Sequence, residues 1–127
     1  MDVDGPIVAM TSGGADSTLL AVVLAVCCLG AAAGDFMALA SIVAIMDRLG
    51  MPRRMIPVAG AVKTLGAVGV VIGLWVRPIG LAANTGLVVY FCIAVALHLR
   101  VRDSFAETSL ALGMLALSTA ALVAALV

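Results

Sequence analysis

The chain is 127 residues long, 65% hydrophobic and only 11% charged, with a mean hydropathy of +1.28, whereas soluble domains run near roughly 45–50% apolar and about 25% charged. So few polar residues cannot cover a water-facing surface, which excludes an ordinary soluble globule and leaves lipid to solvate the outside. Seven basic residues balance seven acidic ones and aromatics make up 4%, so the chain has neither the field nor the stacking surface for a nucleic-acid partner.

The first sixteen residues form an acidic, Arg-free tail holding Asp2, Asp4 and Asp16. This start lacks the positive n-region of a secretion signal, so the apolar segment after it is expected to be retained. Ser12 to Ser17 read SGGADS, which matches the SGGxDS phosphate loop of ATP pyrophosphatases. That loop needs a parallel sheet and a nucleotide cleft, whereas the residues following it here are membrane spans. Asp16 or Ser17 is instead expected to cap the first span.

A spanning helix needs about 20 mostly apolar residues, and four stretches meet that length. The first runs uncharged from Ser17 to Gly34, meets Asp35, and continues apolar from Phe36 to Met46. Residues 36–49, FMALASIVAIMDRL, either extend that helix or lie apart from it, and an interfacial or bent segment is the favoured reading. Gly50-Met51-Pro52 then breaks the chain. The second span lies between Arg54 and Arg77, with Pro57 in its first turn, where a missing N–H costs little. Trp75-Val76-Arg77-Pro78 is a very short connection, so the second and third spans are expected to be antiparallel neighbours, with Trp75 as an interfacial anchor. The third span ends at Arg100, and the fourth follows Glu107 to Val127 with Thr108 and Ser109 as candidate caps. Residues 17–127 therefore predict a single all-α domain, an integral membrane four-helix bundle with an interfacial segment after the first helix.

Lys and Arg distribution sets the expected orientation. Arg48, Arg53, Arg54, Arg100 and Arg102 fall in the loops between spans one and two and between three and four, while the opposite side holds only Arg77. The Arg-rich loops are expected to face the cytoplasm and both termini the outside. Gly30 and Gly34, and Gly69 and Gly73, stand four apart, with Gly60, Gly66 and Gly86 nearby. This spacing lets helix backbones approach in lipid, within the bundle or between copies of the chain in a homo-oligomer.

Ionisable residues at membrane depth are costly, and they are therefore the candidate functional groups. Asp35 stands about 27 Å along the first helix, and Lys63 about 12 Å into the second. His98 sits near the matching end of the third span, so the three occupy one half of the bundle and are the candidate catalytic residues. Lys63 shares its face with Ala59, Gly66 and Gly73, while Asn84 and His98, fourteen positions apart, differ by about 40° in phase. Both faces can look inward, which makes Asn84 a candidate ligand contact. Tyr90 is out of phase with them and reaches another helix or simply packs. A carboxylate, an ammonium and an imidazole converging in an apolar bundle can bind a polar head, relay protons or perform acid–base chemistry. Equally, Asp35 and Lys63 can merely neutralise one another, with His98 satisfied by backbone or Arg102. Cys27, Cys28 and Cys92 lie in apolar runs, and no metal-ligand spacing or cofactor motif is present in the sequence.

The stretch from Leu49 to Ser104 resembles the DoxX-like family of small bacterial four-helix membrane proteins. It has a Gly-Met-Pro loop, Gly-x-x-Lys at Gly60 to Lys63, a Gly-rich second span, and Ala-x-x-His-x-Arg ending the third. Relatives often carry Gly-x-x-Lys near the end of the first span, where this chain reads Gly34-Asp35-Phe36, an acid where a base is usual. The resemblance implies a bacterial plasma-membrane protein in which Lys63, His98 and Arg100 are the family-type polar residues. It also implies an accessory role in a membrane redox system, since the family takes its name from a subunit of a quinone-linked thiosulfate oxidoreductase.

Three functions follow as expectations. The first is a binding or accessory protein for a lipophilic, quinone-like ligand or a membrane protein partner, with Asn84, Tyr90 and Arg100 as ligand contacts. The second is a small membrane enzyme acting on a lipophilic substrate, such as an isomerase, cyclase or epoxide-opening hydrolase, with Asp35 as acid or base. The third is a structural subunit of a larger complex.

Overall fold

A computed structural model describes the backbone of residues 4–126 and the side chains of residues 16–126. It contains five helices: α1 (Asp4–Phe36), α2 (Ala40–Arg48), α3 (Met55–Ile72), α4 (Arg77–Arg100) and α5 (Phe105–Leu126). Four of them carry stretches long and apolar enough to cross a membrane, Asp16–Phe36, Met55–Ile72, Arg77–Arg100 and Phe105–Leu126. The chain is an all-α membrane helical bundle in which the four long helices pack as a ring, α1 on α3, α3 on α4, α4 on α5, and α5 back on α1.

Consecutive long helices run antiparallel. The end of α1 packs on the start of α3 through Gly60, the end of α3 meets the start of α4 at Gly73 and Gly80, and His98 near the end of α4 bonds the turn that precedes α5. One end of the bundle therefore carries α2 and the α4–α5 turn, with Arg48, Arg53, Arg54, Arg100 and Arg102, and the other carries the α3–α4 turn with Arg77.

Many large apolar side chains point outward. Leu19, Leu65 and Leu110 are 62%, 72% and 67% exposed, while the centre is built from Leu24, Cys28, Ala67, Val70, Leu87 and Phe91. Exposure of so many large apolar side chains is stable only where the surroundings are as apolar as they are, as in lipid, so helix contact depends on close backbone approach. A Cβ on Gly69 would stand 2.6 Å from that of Ala83, one on Gly66 2.5 Å from Leu87, and one on Gly73 would collide with the backbone of Gly80. The spacing argument succeeds for α3 and fails for α1: Gly30 has nothing within 4 Å, and Gly34 meets only Leu39 within its own chain turn.

Residues 36–49 do not extend α1. Leu39 N–H bonds to Gly34 O at 3.3 Å and Ala38 N–H to Asp35 O at 3.0 Å, with Ala38 at φ 48°, which is the Schellman pattern of a helix end. The same pattern closes α2 at Gly50 (φ 72°) and α4 at Arg102 (φ 52°). The separate segment expected after the first span is thus α2. It shows Ile42, Val43, Ile45 and Met46 partly buried and Ser41, Asp47 and Arg48 exposed, the i, i+3, i+4 spacing of an amphipathic helix lying against the bundle.

Two expected caps are corrected. α1 is helical from Asp4, so Asp16 and Ser17 lie inside it and do not begin it; of the acidic tail, residues 1–3 lie outside the described residues. The cap of α5 is Ser104, whose Oγ accepts Glu107 N–H at 3.3 Å, rather than Thr108 or Ser109. A helix starting at Phe105 leaves both of those beyond the orphan N–H groups that a cap serves.

Candidate functional site

Asp35 is the penultimate residue of α1, and its side chain is 3% exposed. Lys63 stands two turns into α3, and its Nζ donates to Asp35 Oδ2 at 2.8 Å. Gly60 explains the meeting: a Cβ there would lie 3.2 Å from Asp35 Cβ and 3.1 Å from the Phe36 ring. Glycine therefore admits the end of α1, and the lysine one turn later on the same helix face reaches its carboxylate. The Gly-x-x-Lys pattern has a structural reason here, a close approach followed by a counter-charge.

Tyr90 joins this pair from α4. Lys63 Nζ lies 5.7 Å from its ring centroid, and the ring meets that of Phe91 edge-on at 5.1 Å, a favourable aromatic geometry. Although Tyr90 is out of phase with His98, it faces α3 while His98 turns toward the α4–α5 turn, and both reach the same space.

His98 is satisfied by neither of the groups expected for it. Its Nδ1 lies 2.7 Å from Asp103 Oδ2, while Arg102 is exposed. The Schellman closure carries the chain back so that Asp103 N–H bonds His98 O at 3.0 Å, which sets the Asp103 side chain beside the imidazole. Helical phase cannot reveal a partner five residues away across a helix end, and the neighbouring arginine was the more visible candidate. Asp103 also accepts from Arg48 Nε at 3.0 Å and from Ser104 N–H at 2.8 Å. These contacts hold its carboxyl below the usual carboxylate range, the backbone N–H of Ser104 contributing most and Arg48 and His98 adding to it against the opposing effect of burial. Through Arg48 the cluster also ties the end of α2 to the bundle.

The ionisable groups surround a cavity of about 200 Å³, lined by Asp35, Lys63, Tyr90 and His98 and closed by apolar residues including Ile42 and Met114. A second cavity of about 280 Å³ adjoins it and has almost wholly apolar walls, among them Met51, Met55, Val62, Ile93 and Leu97. Met46, Leu49, Ala59, Tyr90 and Ala94 line both, so the two form adjoining lobes bordered by α2, α3 and α4, the polar one walled also by α1 and α5. A lobe with convergent polar groups beside an apolar lobe matches a molecule with a small polar head and a hydrocarbon body.

The structure brings together Asp35, Lys63, His98 and Tyr90, and it separates the other two candidates from them. Asn84 lies about 21 Å along α4 from His98. Its Nδ2 donates to Gly80 O at 2.9 Å, its Oδ1 has no partner, and it borders a cavity of about 40 Å³ with Ser17 and Arg77. Fourteen residues of near-equal phase share a helix face without sharing a depth. Arg100 is exposed at the last turn of α4 and lines neither lobe. Among the described residues, no cluster of three His, Cys, Asp or Glu side chains can hold a metal ion.

Compared with known proteins, residues 19–121 match the sequence pattern of the DoxX-like family. The match extends beyond the 49–104 stretch to take in Asp35 and most of the fourth span. No curated protein and no solved structure matches the chain.

Proposed function

The chain belongs to the DoxX-like family, and from that premise we propose that it binds a lipophilic, quinone-like small molecule within the membrane as an accessory protein of a redox system. The observation that carries the reading is the pair of lobes: Lys63, Tyr90 and His98 border one, and the adjoining one is apolar. The ligand's head rests against Lys63, its body lies between α3 and α4, and α2 covers the opening. The Arg-rich end, with the site near it, faces the cytoplasm of a bacterial cell, and the termini face outward. The redox partner is suggested by the family resemblance alone.

Asp35 suits a binding role better than an acid–base role. A carboxylate already bonded to an ammonium at 2.8 Å is occupied, whereas a general acid or base needs a free proton site facing substrate.

The test is native mass spectrometry of protein extracted gently from its own membrane, beside Lys63→Met. A small lipophilic molecule retained by the wild type and lost from the folded variant is the expected result. Wild-type protein that carries only bulk phospholipid, or only a stoichiometric protein partner, would overturn the reading.

A further inference from the structure

The walls of the two lobes are not equally fixed. All four long helices stand around the polar lobe, and Ile42, Ile45 and Met46 of α2 complete its enclosure. Met46 and Leu49, at the end of α2, border the apolar lobe as well. Each long helix crosses the membrane and packs on two others. α2 is held differently. Its nine residues are too few for a helix that is stable alone, and none of them is buried; Leu49, just beyond it, is the buried edge of this wall. Left-handed residues at Ala38 (φ 48°) and Gly50 (φ 72°) break the helical path on either side, where a few torsions can absorb a rigid-body rotation.

Among the described residues, one polar side-chain contact joins α2 to the chain beyond its own connectors. Arg48 Nε donates to Asp103 Oδ1 at 3.0 Å and Nη2 to Oδ2 at 3.5 Å, whereas Asp47 pairs with Arg53 in the connector that follows. Breaking the Arg48 contact leaves no charge stranded. Arg48 is 46% exposed and returns to water, and Asp103 keeps its bonds to Ser104 N–H and His98. The partly buried Ile42, Val43, Ile45 and Met46 turn toward the membrane interface, which accommodates apolar side chains. Closed and open positions of α2 therefore differ by one ion pair and a limited apolar contact, the profile of a low-stability unit on a rigid frame. We propose that α2 is a lid over the two lobes, hinged at Ala38 and Gly50 and latched by Arg48 on Asp103, through which the bound molecule enters and leaves. The inference rests on the binding reading above for its passenger, whereas the motion is measured without one.

The experiment times alkylation by N-ethylmaleimide of the full-length protein in lipid nanodiscs. Ala111 is buried on α5 in the wall of the polar lobe, and Ala111→Cys puts a reporter thiol there that peptide mass spectrometry resolves from the natural cysteines. Cys28, with no exposed surface, reports loosening of the whole bundle, and the exposed Cys92 reports reagent supply. Adding Arg48→Met is expected to raise the reporter rate about fivefold, the effect on an open–closed equilibrium of losing an ion pair of this exposure, with Cys28 and Cys92 unchanged. Asp103→Asn weakens the same contact from the other side; it is expected to act in the same direction and serves where Arg48→Met does not fold. A reporter rate unchanged by these variants would overturn the lid, and so would a rise shared with Cys28. Failure of the binding reading shows separately, as lobes that retain no small molecule in native mass spectrometry whatever the labelling rate.

Discussion

Asp35 and Lys63 illustrate how a charge is tolerated at membrane depth. Each alone would carry an uncompensated charge into an apolar bundle, and together at 2.8 Å they offset it. Asp35→Asn or Lys63→Met should each destabilise the fold by about 3–5 kcal/mol, the usual cost of breaking a buried pair. The double variant should lose less than the sum, because the two groups act through one contact. Thermal unfolding in detergent of all four proteins checks this, and strict additivity would contradict it. That Asp35, Lys63 and His98 share one end of the bundle was legible from their depth along each span. That Asp103 serves His98 was not, because the contact depends on a left-handed residue, Arg102, closing α4 in a place where glycine is usual.

Asp103 also makes a pH-dependent contribution. Its carboxyl is held below the ordinary range in the folded state, chiefly by Ser104 N–H and further by Arg48 and His98. A depressed folded pKa gives stability that is present above the unfolded value of about 3.9 and is lost as pH falls through the lower folded value. Wild type should therefore exceed Asp103→Asn in stability at neutral pH, and the gap should close on acidification below about pH 4. Unfolding midpoints of the two proteins across that range check the sign, and a gap that widens with acid would contradict it.

Among the helices, length and charge spacing located the four spans, most closely α4, which runs from Arg77 to Arg100 between the two arginines that bound the apolar stretch, while α1 begins well before the expected Ser17 and α3 ends short of Arg77. Which glycines make contacts was only half legible. A four-residue spacing marks a stripe on a helix, but the stripe acts only where a second helix crosses it, as α4 crosses α3 at Gly73 and nothing crosses α1 at Gly30. Gly73→Ala should force the two backbones apart and destabilise by about 1–3 kcal/mol, the usual cost of overpacking. Gly86→Ala and Gly113→Ala, where nothing lies within 4 Å, should be neutral or stabilising by up to about 1 kcal/mol through helix propensity. Melting temperatures of the three variants check this order. An effect of Gly86→Ala or Gly113→Ala equal to that of Gly73→Ala would point to contacts outside the single chain.

The bundle as a whole turns many bulky apolar residues toward lipid around a closely packed centre, and near the Arg-rich end, where α2 lies against α3, it leaves two adjoining lobes open. Composition alone identified lipid as the solvent, and Leu19, Leu65 and Leu110 on the outside bear this out. The lobes were not legible, because they are bounded by α2, whose placement depends on the turn at Ala38 and the Arg48 contact to Asp103. Asn84 was grouped with His98 for the related reason that phase carries no information about depth.

Binding within these lobes is tested most directly by photolabelling the protein in nanodiscs with an alkyl diazirine probe, mapping the labelled residues with and without excess unlabelled dodecanol. Labels concentrated on Met46, Tyr90 and Ala94, which border both lobes, and suppressed by the competitor are the predicted result. Labels confined to the lipid-facing side chains Leu19, Leu65 and Leu110 and indifferent to the competitor would contradict it.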